Sequence, residues 1–223
     1  AKMPAGYAFD VAAAIPLTGL TAWQGLVEVL EARPGQTLLI PGGSGSFGQM
    51  AVPIARALGL RVLVTGNERA REQFLAMGVE RYIDYRRENY WEVLSGIDLV
   101  IDTLGAGEFE HELSVLKPGG RLLSLRAVPN GEFARRNGFP WYKRALFSLA
   151  GMKYDRAARR QGKEYRFMFV HADGEQLRRI TEIVEQNHIT PAVDPHRFSL
   201  DQINDALRLV AEGPTLGKVI IRM

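Results

Sequence analysis

Gly43-Ser44-Gly45-Ser46-Phe47-Gly48 is the stretch of this chain whose residue types and spacing point most directly to chemistry. It reads G-x-G-x-x-G. The apolar run Leu38-Leu39-Ile40 precedes it, and Met50, Val52, Ile54, Ala55 and Leu58 follow at helical spacing. In such a strand–turn–helix each glycine has its own reason. The first makes the turn tight, the second lets the backbone approach a pyrophosphate, and the third lets helix and strand pack closely. The N–H groups that open the helix lack intrahelical partners and, with the helix dipole, attract phosphate. Gly-rich turns are common, so the flanking strand and helix are what give the pattern its meaning as a dinucleotide-binding loop.

The elements that must position this loop follow from periodicity and punctuation. Ala22 to Arg33 carries apolar residues at near-helical spacing and stops at Pro34-Gly35. Strands are expected at Leu38–Ile40, Arg61–Thr65, Tyr82-Ile83, Asp98–Asp102, Arg121–Leu125, Phe167–Val170 and Lys218–Ile221. Helices are expected from Ser46, as N-cap, to Leu58, and over Glu68–Met77, Asn89–Leu94, Glu108–Leu116, Glu175–Gln186 and from Leu200 or Asp201 to Val210. Pro53 should kink the first of these. Strands alternating with helices at short intervals, and apolar throughout, indicate βαβ units and a parallel sheet covered on both faces. The fold class is α/β, a doubly wound parallel sheet of the Rossmann type.

Composition narrows the function classes. The 223 residues are 46% hydrophobic and 24% charged, ordinary for a globular protein. No apolar run reaches the roughly 20 residues that span a bilayer, and Lys2 is followed by no apolar signal-peptide core. Cys is absent, which excludes disulfides, thiolate catalysis and Cys-ligated zinc within this chain and fits a reducing cytoplasm. The net charge of +3 is too small to argue for nucleic acid by itself.

Several further segments, in order, are similar to the medium-chain dehydrogenase/reductase superfamily, in its zinc-free quinone oxidoreductase-like branch. They are Ala12-Ala13-Ala14-Ile15-Pro16-Leu17-Thr18-Gly19-Leu20-Thr21-Ala22-Trp23, Pro34 to Ile40 with the glycine loop, Asp98 to Gly105, Leu116 to Leu122 and Gly217 to Ile220. The resemblance implies a cofactor-binding part without the N-terminal catalytic domain of roughly 100–130 residues that members carry, a usual domain size. Residues 1–21 would be the connecting segment and 22–190 the dinucleotide-binding domain. Residues 191–223 would be a C-terminal helix and strand returning toward the missing domain. It implies that Thr21, Leu104, Gly105 and Ser124 line the nicotinamide side, that Tyr85 approaches the adenosine end, and that members often form homodimers. A half-buried strand tyrosine is an equally open reading of Tyr85. Zinc-dependent relatives place a Cys ligand where Leu17 stands, so no zinc is expected. His111, His171, His188 and His196 are scattered and do not read as ligands. The resemblance names no catalytic residue in this chain.

The choice of nicotinamide cofactor rests on the end of the second strand. NAD(H) binders place an acid there for the ribose hydroxyls. Here the residues are Thr65-Gly66-Asn67-Glu68-Arg69-Ala70-Arg71. Small residues leave room for a 2′-phosphate, and Arg69 or Arg71 could pair with it. Glu68 stands against this as an acid near enough to take the ribose of NAD(H); its other reading is an acid favoured in the first turn of a helix capped by Asn67, and Arg69 and Arg71 could also simply line a solvated helix face. The expectation is NADP(H) rather than NAD(H), with Gly43, Ser44, Gly45, Ser46, Phe47, Gly48, Asn67, Arg69, Arg71 and Tyr85 around it.

One segment stands apart. Residues 132–166 hold ten basic residues against Glu132, Asp155 and Glu164, a local charge of +7 in a chain that is otherwise −4. Seven aromatics are interleaved: Phe133, Phe139, Trp141, Tyr142, Phe147, Tyr154 and Tyr165. Three readings are open: a solvated helical excursion with its aromatics packed inward, a lobe for an anionic substrate such as an acyl-CoA thioester, and a single-strand nucleic-acid surface. The enzyme-like frame disfavours the third. Taken together, the expected function is hydride transfer between NADP(H) and a quinone or activated C=C. The alternatives are a zinc-type alcohol dehydrogenase with its ligands in the missing domain, or a nucleotide- or RNA-binding module without catalysis.

Overall fold

Six short strands are buried almost end to end, and that burial dictates the architecture. In a computed structural model describing residues 1–213 and 215–222, they are β1 (Thr37–Ile40), β2 (Arg61–Gly66), β3 (Arg81–Asp84), β4 (Ile97–Asp102), β5 (Leu116–Ser124) and β6 (Glu164–Phe167). They form one parallel sheet in the order β3-β2-β1-β4-β5-β6. Alternate residues serve opposite faces. Leu38, Ile40, Val62, Val64, Leu99 and Ile101 join one core; Leu39, Leu63 and Val100 join the other.

Helices cover both faces. α1 (Phe9–Ala13) precedes α2 (Pro16–Trp23), which runs on through a π-helical turn, Gln24–Val29. α2, α3 (Ser46–Ala57) and α9 (Gly174–Gln186) pack together, and Met50, Val52, Ile54, Ile180 and Val184 line the first core. A 3₁₀ turn at Glu68–Ala70 leads into α4 (Arg71–Ala76), whose Phe74 joins that core. α5 (Tyr90–Val93), α6 (Phe109–Val115) and α8 (Trp141–Arg160) supply Tyr90, Phe109, Leu113 and Ala158 to the second, and α7 (Gly131–Arg136) packs on α8. This is the doubly wound, Rossmann-type α/β arrangement.

Three sequence expectations are corrected. The helix expected at Ala22–Arg33 begins at Pro16, whose fixed φ suits a first helical turn, and its π-helical end stops at Val29. The N-cap of α3 is Gly45 rather than Ser46, and the helix continues through Pro53 to Ala57. The strand expected at Phe167–Val170 lies earlier, at Glu164–Phe167, pairing Leu122 with Tyr165. As an edge strand it alternates: Tyr165 and Phe167 are buried while Arg166 pairs with Glu164 and Glu132, so no continuous apolar run marks it. The strand expected at Lys218–Ile221 forms as Lys218–Arg222 (β8), outside the main sheet. It pairs in parallel with Val193–Ser199 (β7), a polar strand with no sequence signal, in a separate two-stranded sheet. A 3₁₀ turn and α10 (Ile203–Glu212) connect the two.

Candidate functional site

The strand order reverses between β1 and β4, and in such sheets the crevice at the carboxyl ends of these strands takes the ligand. The glycine loop leaves β1 at this point. Gly42, outside the six-residue motif, holds the left-handed conformation at φ 65°; its N–H donates to Thr65 Oγ1 at 2.9 Å. A Cβ on Gly43 would lie 2.8 Å from Ile40 Cγ2, and one on Gly48 only 1.7 Å from the Gly43 carbonyl oxygen. Gly45 differs: it is exposed, and a Cβ there would meet nothing within 4 Å. Two glycines are thus needed to pack the turn on itself. The middle one leaves open space before the first N–H groups of α3, which no intrahelical carbonyl can satisfy. Ser44, Ser46 and Phe47 remain partly exposed around it.

The end of β2 meets this loop directly. A Cβ on Gly66 would fall 2.4 Å from Ser44 Cβ and 2.2 Å from the Tyr82 hydroxyl, which itself donates to the Asn67 carbonyl at 2.7 Å. Beyond it, Asn67, Glu68, Arg69, Asp84, Tyr85, Arg86 and Arg87 line an open depression. Asn67 Oδ1 is buried there without a partner. Tyr85 is 55% exposed, and the Arg86 guanidinium sits 5.8 Å from its ring centroid. Arg87 pairs with the buried Asp84 at 3.5 Å, whereas Arg69 and Arg86 have no ion-pair partner among the described residues. Arg71 faces elsewhere: it donates to the Tyr82 carbonyl at 3.4 Å and lines a second depression with Arg81 and Glu88. Of the two arginines singled out in the sequence, only Arg69 joins Asn67 and Tyr85, and Arg86 is the cation the sequence reading missed. Its place one residue beyond Tyr85, at the end of β3, was the available signal.

Across the crevice, the turn after β4 hangs on one carboxylate. Asp102, 1% exposed, accepts from the N–H groups of Leu104 and Gly105 at 2.7 Å each and from the Ser124 hydroxyl at 2.5 Å. Ser124 is buried and in turn accepts from the N–H of Ala127 at 2.9 Å. Thr103 Oγ1 donates to the Pro41 carbonyl at 2.7 Å, and Leu104 leans over Gly42. Leu104 itself is exposed, and Gly105 adopts φ 102°. Thr21 is half-buried, its hydroxyl donating to the Leu17 carbonyl at 2.7 Å. Ser124 is therefore committed to supporting the loops, while Leu104 is the side chain that faces outward.

The basic aromatic segment divides. Phe133 sits edge-on to Phe147, Phe167 and Phe169 and tilted against Phe139, and Tyr154 packs on Phe109 and Tyr165. Arg136 donates to the Phe167 carbonyl at 2.7 Å, and Lys163 to the Leu113 carbonyl at 2.6 Å. Trp141 and Tyr142, by contrast, are exposed at the start of α8. Among the described residues, no group of three or more His, Cys, Asp and Glu is placed to hold a metal ion, and no helix is long and apolar enough to cross a membrane.

Comparison with known proteins agrees with this geometry. A family model described as zinc-binding dehydrogenase matches residues 77–221. The synaptic vesicle membrane protein VAT-1 homolog of Danio rerio is 26% identical over 98% of this chain and 47% of its own length. The 2-methylene-furan-3-one reductase of Solanum lycopersicum is 27% identical over 99% of this chain and 49% of its own. The quinone oxidoreductase of Thermus thermophilus, solved also as its complex with NADPH, matches with a TM-score of 0.71 at 26% identity, covering 99% of this chain and 68% of that one. The chain spans about half the length of the curated relatives it matches. With its parallel sheet, its glycine loop at the reversal point and this match, the chain belongs to the zinc-binding dehydrogenase family of the medium-chain dehydrogenase/reductase superfamily, alongside quinone oxidoreductases and enoyl reductases, and corresponds to their C-terminal cofactor-binding part.

Proposed function

We propose that this chain is the cofactor-binding part of an NADP(H)-dependent oxidoreductase acting on a quinone or an activated C=C. The observation that carries this reading is the depression beyond β2: two unpaired guanidinium groups, Arg69 and Arg86, and no acid at Thr65 or Gly66. Two arginines facing an open site suit a dianionic phosphate, since a guanidinium offers paired donors to phosphate oxygens. The residues fit the rest of the cofactor as well. The space at Gly45 admits a pyrophosphate against the first N–H groups of α3. The unpaired Asn67 Oδ1 suits a ribose hydroxyl, and Tyr85 offers an exposed face to the adenine.

When bound, the nicotinamide supplies the hydride; the protein supplies orientation and exclusion of water. Leu104 would form one wall beside it, and the Asp102 carboxylate would fix that wall by holding the Leu104 and Gly105 N–H groups. Phe9, Leu17 and Leu104 are exposed apolar residues that a separate catalytic domain would cover. A homodimer, which members of the superfamily often form, is the assembly this reading expects, in the cytoplasm that the absence of Cys fits. Leu17, where zinc-dependent relatives place a ligand, favours a zinc-free reaction. The inward packing of Phe133, Tyr154 and Tyr165 and the holding of Arg136, Lys163 and Arg166 by protein groups favour a structural lobe over nucleic-acid binding.

Calorimetric titration with NADPH and NADH, on the wild-type chain and an Arg69→Ala, Arg86→Ala variant, tests the cofactor reading. NADPH preference that disappears in the variant is the expected result. Equal or NADH-favoured binding by the wild type overturns the NADP(H) assignment.

A further inference from the structure

Glu112 is a buried carboxyl group with no assigned purpose. It lies on α6 with no exposure, and among the described residues no donor group reaches either of its oxygens; the polar group beside it is another carboxyl, that of Asp102, on which the β4 turn hangs. Their surroundings are acidic or neutral. Glu108 on the same helix and Tyr90 on α5 complete the cluster, with the Tyr90 hydroxyl donating to Glu108 at 3.2 Å. His111, also on α6, stacks on Trp91 and places its Nδ1 3.4 Å from Glu108 Oε2. Tyr165 on β6 faces Asp102 and packs against Tyr154 of α8. The buried Lys163 ammonium is spent on the Leu113 carbonyl and Gln161. Among the described residues, neither Asp102 nor Glu112 forms an ion pair.

Two adjacent buried carboxyl groups without a cation cannot both ionise, because each charge would be desolvated and would repel the other. The hydrogen bonds decide which one keeps its charge. Asp102 receives three donors, an arrangement that favours a carboxylate, whereas Glu112 receives none. We propose that Asp102 and Glu112 are an acid pair holding one proton between them, and that Glu112 is a positioning residue. By staying neutral it lets Asp102 remain ionised and draw the Leu104–Gly105 turn and Ser124 together at the nicotinamide end of the crevice. Burial, and then Asp102 itself, push the Glu112 carboxyl up to about 10, in the same sense. The role in positioning the nicotinamide rests on the function proposed above; the acid pair does not.

Carboxyl-carbon NMR titration of the full chain tests the pair without any cofactor. Glu112, identified by the resonance lost in E112Q, should stay protonated from pH 5 to pH 9. The Leu104 and Gly105 amide signals should move when Glu112 finally titrates, and E112Q should abolish that movement. Ionisation of Glu112 in the ordinary glutamate range, or an unchanged amide titration in E112Q, overturns the proposal. NADPH titration gives the functional arm. Wild-type affinity should fall by about tenfold between pH 8 and pH 11, as expected for one linked proton, and E112Q should flatten that limb. The same limb in both proteins overturns the positioning role. Absence of NADPH binding by the wild type at pH 7 instead counts against the cofactor reading, and the carboxyl and amide titrations still decide the pair.

Discussion

The two banks of the crevice are built on different principles. On the β1–β2 side the ligand surface is backbone and solvent-facing cation: glycines that pack the turn, free N–H groups, and the arginines of an open depression. On the β4–β5 side the surface is set from within, by a buried carboxylate that gathers two loops and a neutral acid beneath it. The first bank can bind without rearranging its interior. The second couples its shape to a protonation state. Substitutions on the first should separate into those that break the turn and those that only block or weaken the ligand. Substitutions on the second should show themselves through pH.

The largest effect separates two glycines of one motif. A Cβ on Gly48 would overlap the Gly43 carbonyl, a backbone group that cannot step aside. Gly48→Ala is expected to cost about 3–5 kcal/mol, the range of severe local strain, read by thermal or denaturant unfolding. Gly45, with extended backbone angles and open space, should accept Ala within about 1 kcal/mol and still lose most NADPH affinity, because the new methyl enters the space left for pyrophosphate. Equal stability losses in the two variants would erase the distinction between packing glycine and ligand glycine.

The next effect tests whether exposed cations define the first bank. An Arg69→Ala, Arg86→Ala variant should lose about 1.5–3 kcal/mol of NADPH binding, the scale of a charged hydrogen bond, with NADH binding and thermal stability little changed. A parallel loss for NADH would show that these side chains hold the shared part of the dinucleotide rather than the 2′-phosphate.

These contrasts also mark what the sequence could disclose. The glycine loop was legible because backbone sterics demand glycine at fixed intervals, whatever surrounds them. The central strands were legible because both faces are covered and their residues are uniformly apolar. β6 and β7 were not, since an alternating edge strand and a polar strand paired only with β8 leave no such run. Glu112 was hidden for a different reason. In Glu108-Phe109-Glu110-His111-Glu112 it has the company of a solvated helix face, and only the packing of α6 on the sheet separates it from Glu110, which is exposed. Arg71 illustrates the converse: nearness in sequence to Arg69 put it in the site, and the turn from 3₁₀ to α-helix takes it out.

The second bank predicts a pH signature in stability. The Glu112 carboxyl is pushed up to about 10 when folded, against 4.5 for an unperturbed group. Between those values the unfolded chain sheds a proton that the folded chain keeps, so rising pH favours unfolding throughout that window. E112Q cannot ionise. Its melting temperature should therefore draw ahead of the wild type from about pH 5 upward and stop diverging near pH 10. By pH 8 the difference should reach about 5 kcal/mol, at roughly 1.4 kcal/mol per pH unit above the unperturbed value, a gap of about 10–20 °C in a chain of this size. A gap that stays constant from pH 5 to pH 9 would mean that Glu112 is ionised in the fold.

The smallest effect is the sharpest test of the first bank. Arg71 begins α4, and its guanidinium reaches the Tyr82 carbonyl at a long 3.4 Å, in a neighbouring depression that shares Asp84 and Arg87 with the Asn67–Arg87 one but not its other lining residues. A weak, partly solvated contact of this kind contributes little, so Arg71→Ala should change stability by about 0.5 kcal/mol or less. Its effect on NADPH affinity should be smaller still, since a charge outside the site acts only through screened, longer-range attraction. At about 0.15 M salt the expected change is under about twofold, set against a roughly tenfold or greater loss for Arg69→Ala, as a charged hydrogen bond implies. If Arg71→Ala instead matches Arg69→Ala, the phosphate must reach over the start of α4. The cation pair that carries the cofactor assignment would then be Arg69 with Arg71, with Arg86 left as a stacking partner for Tyr85.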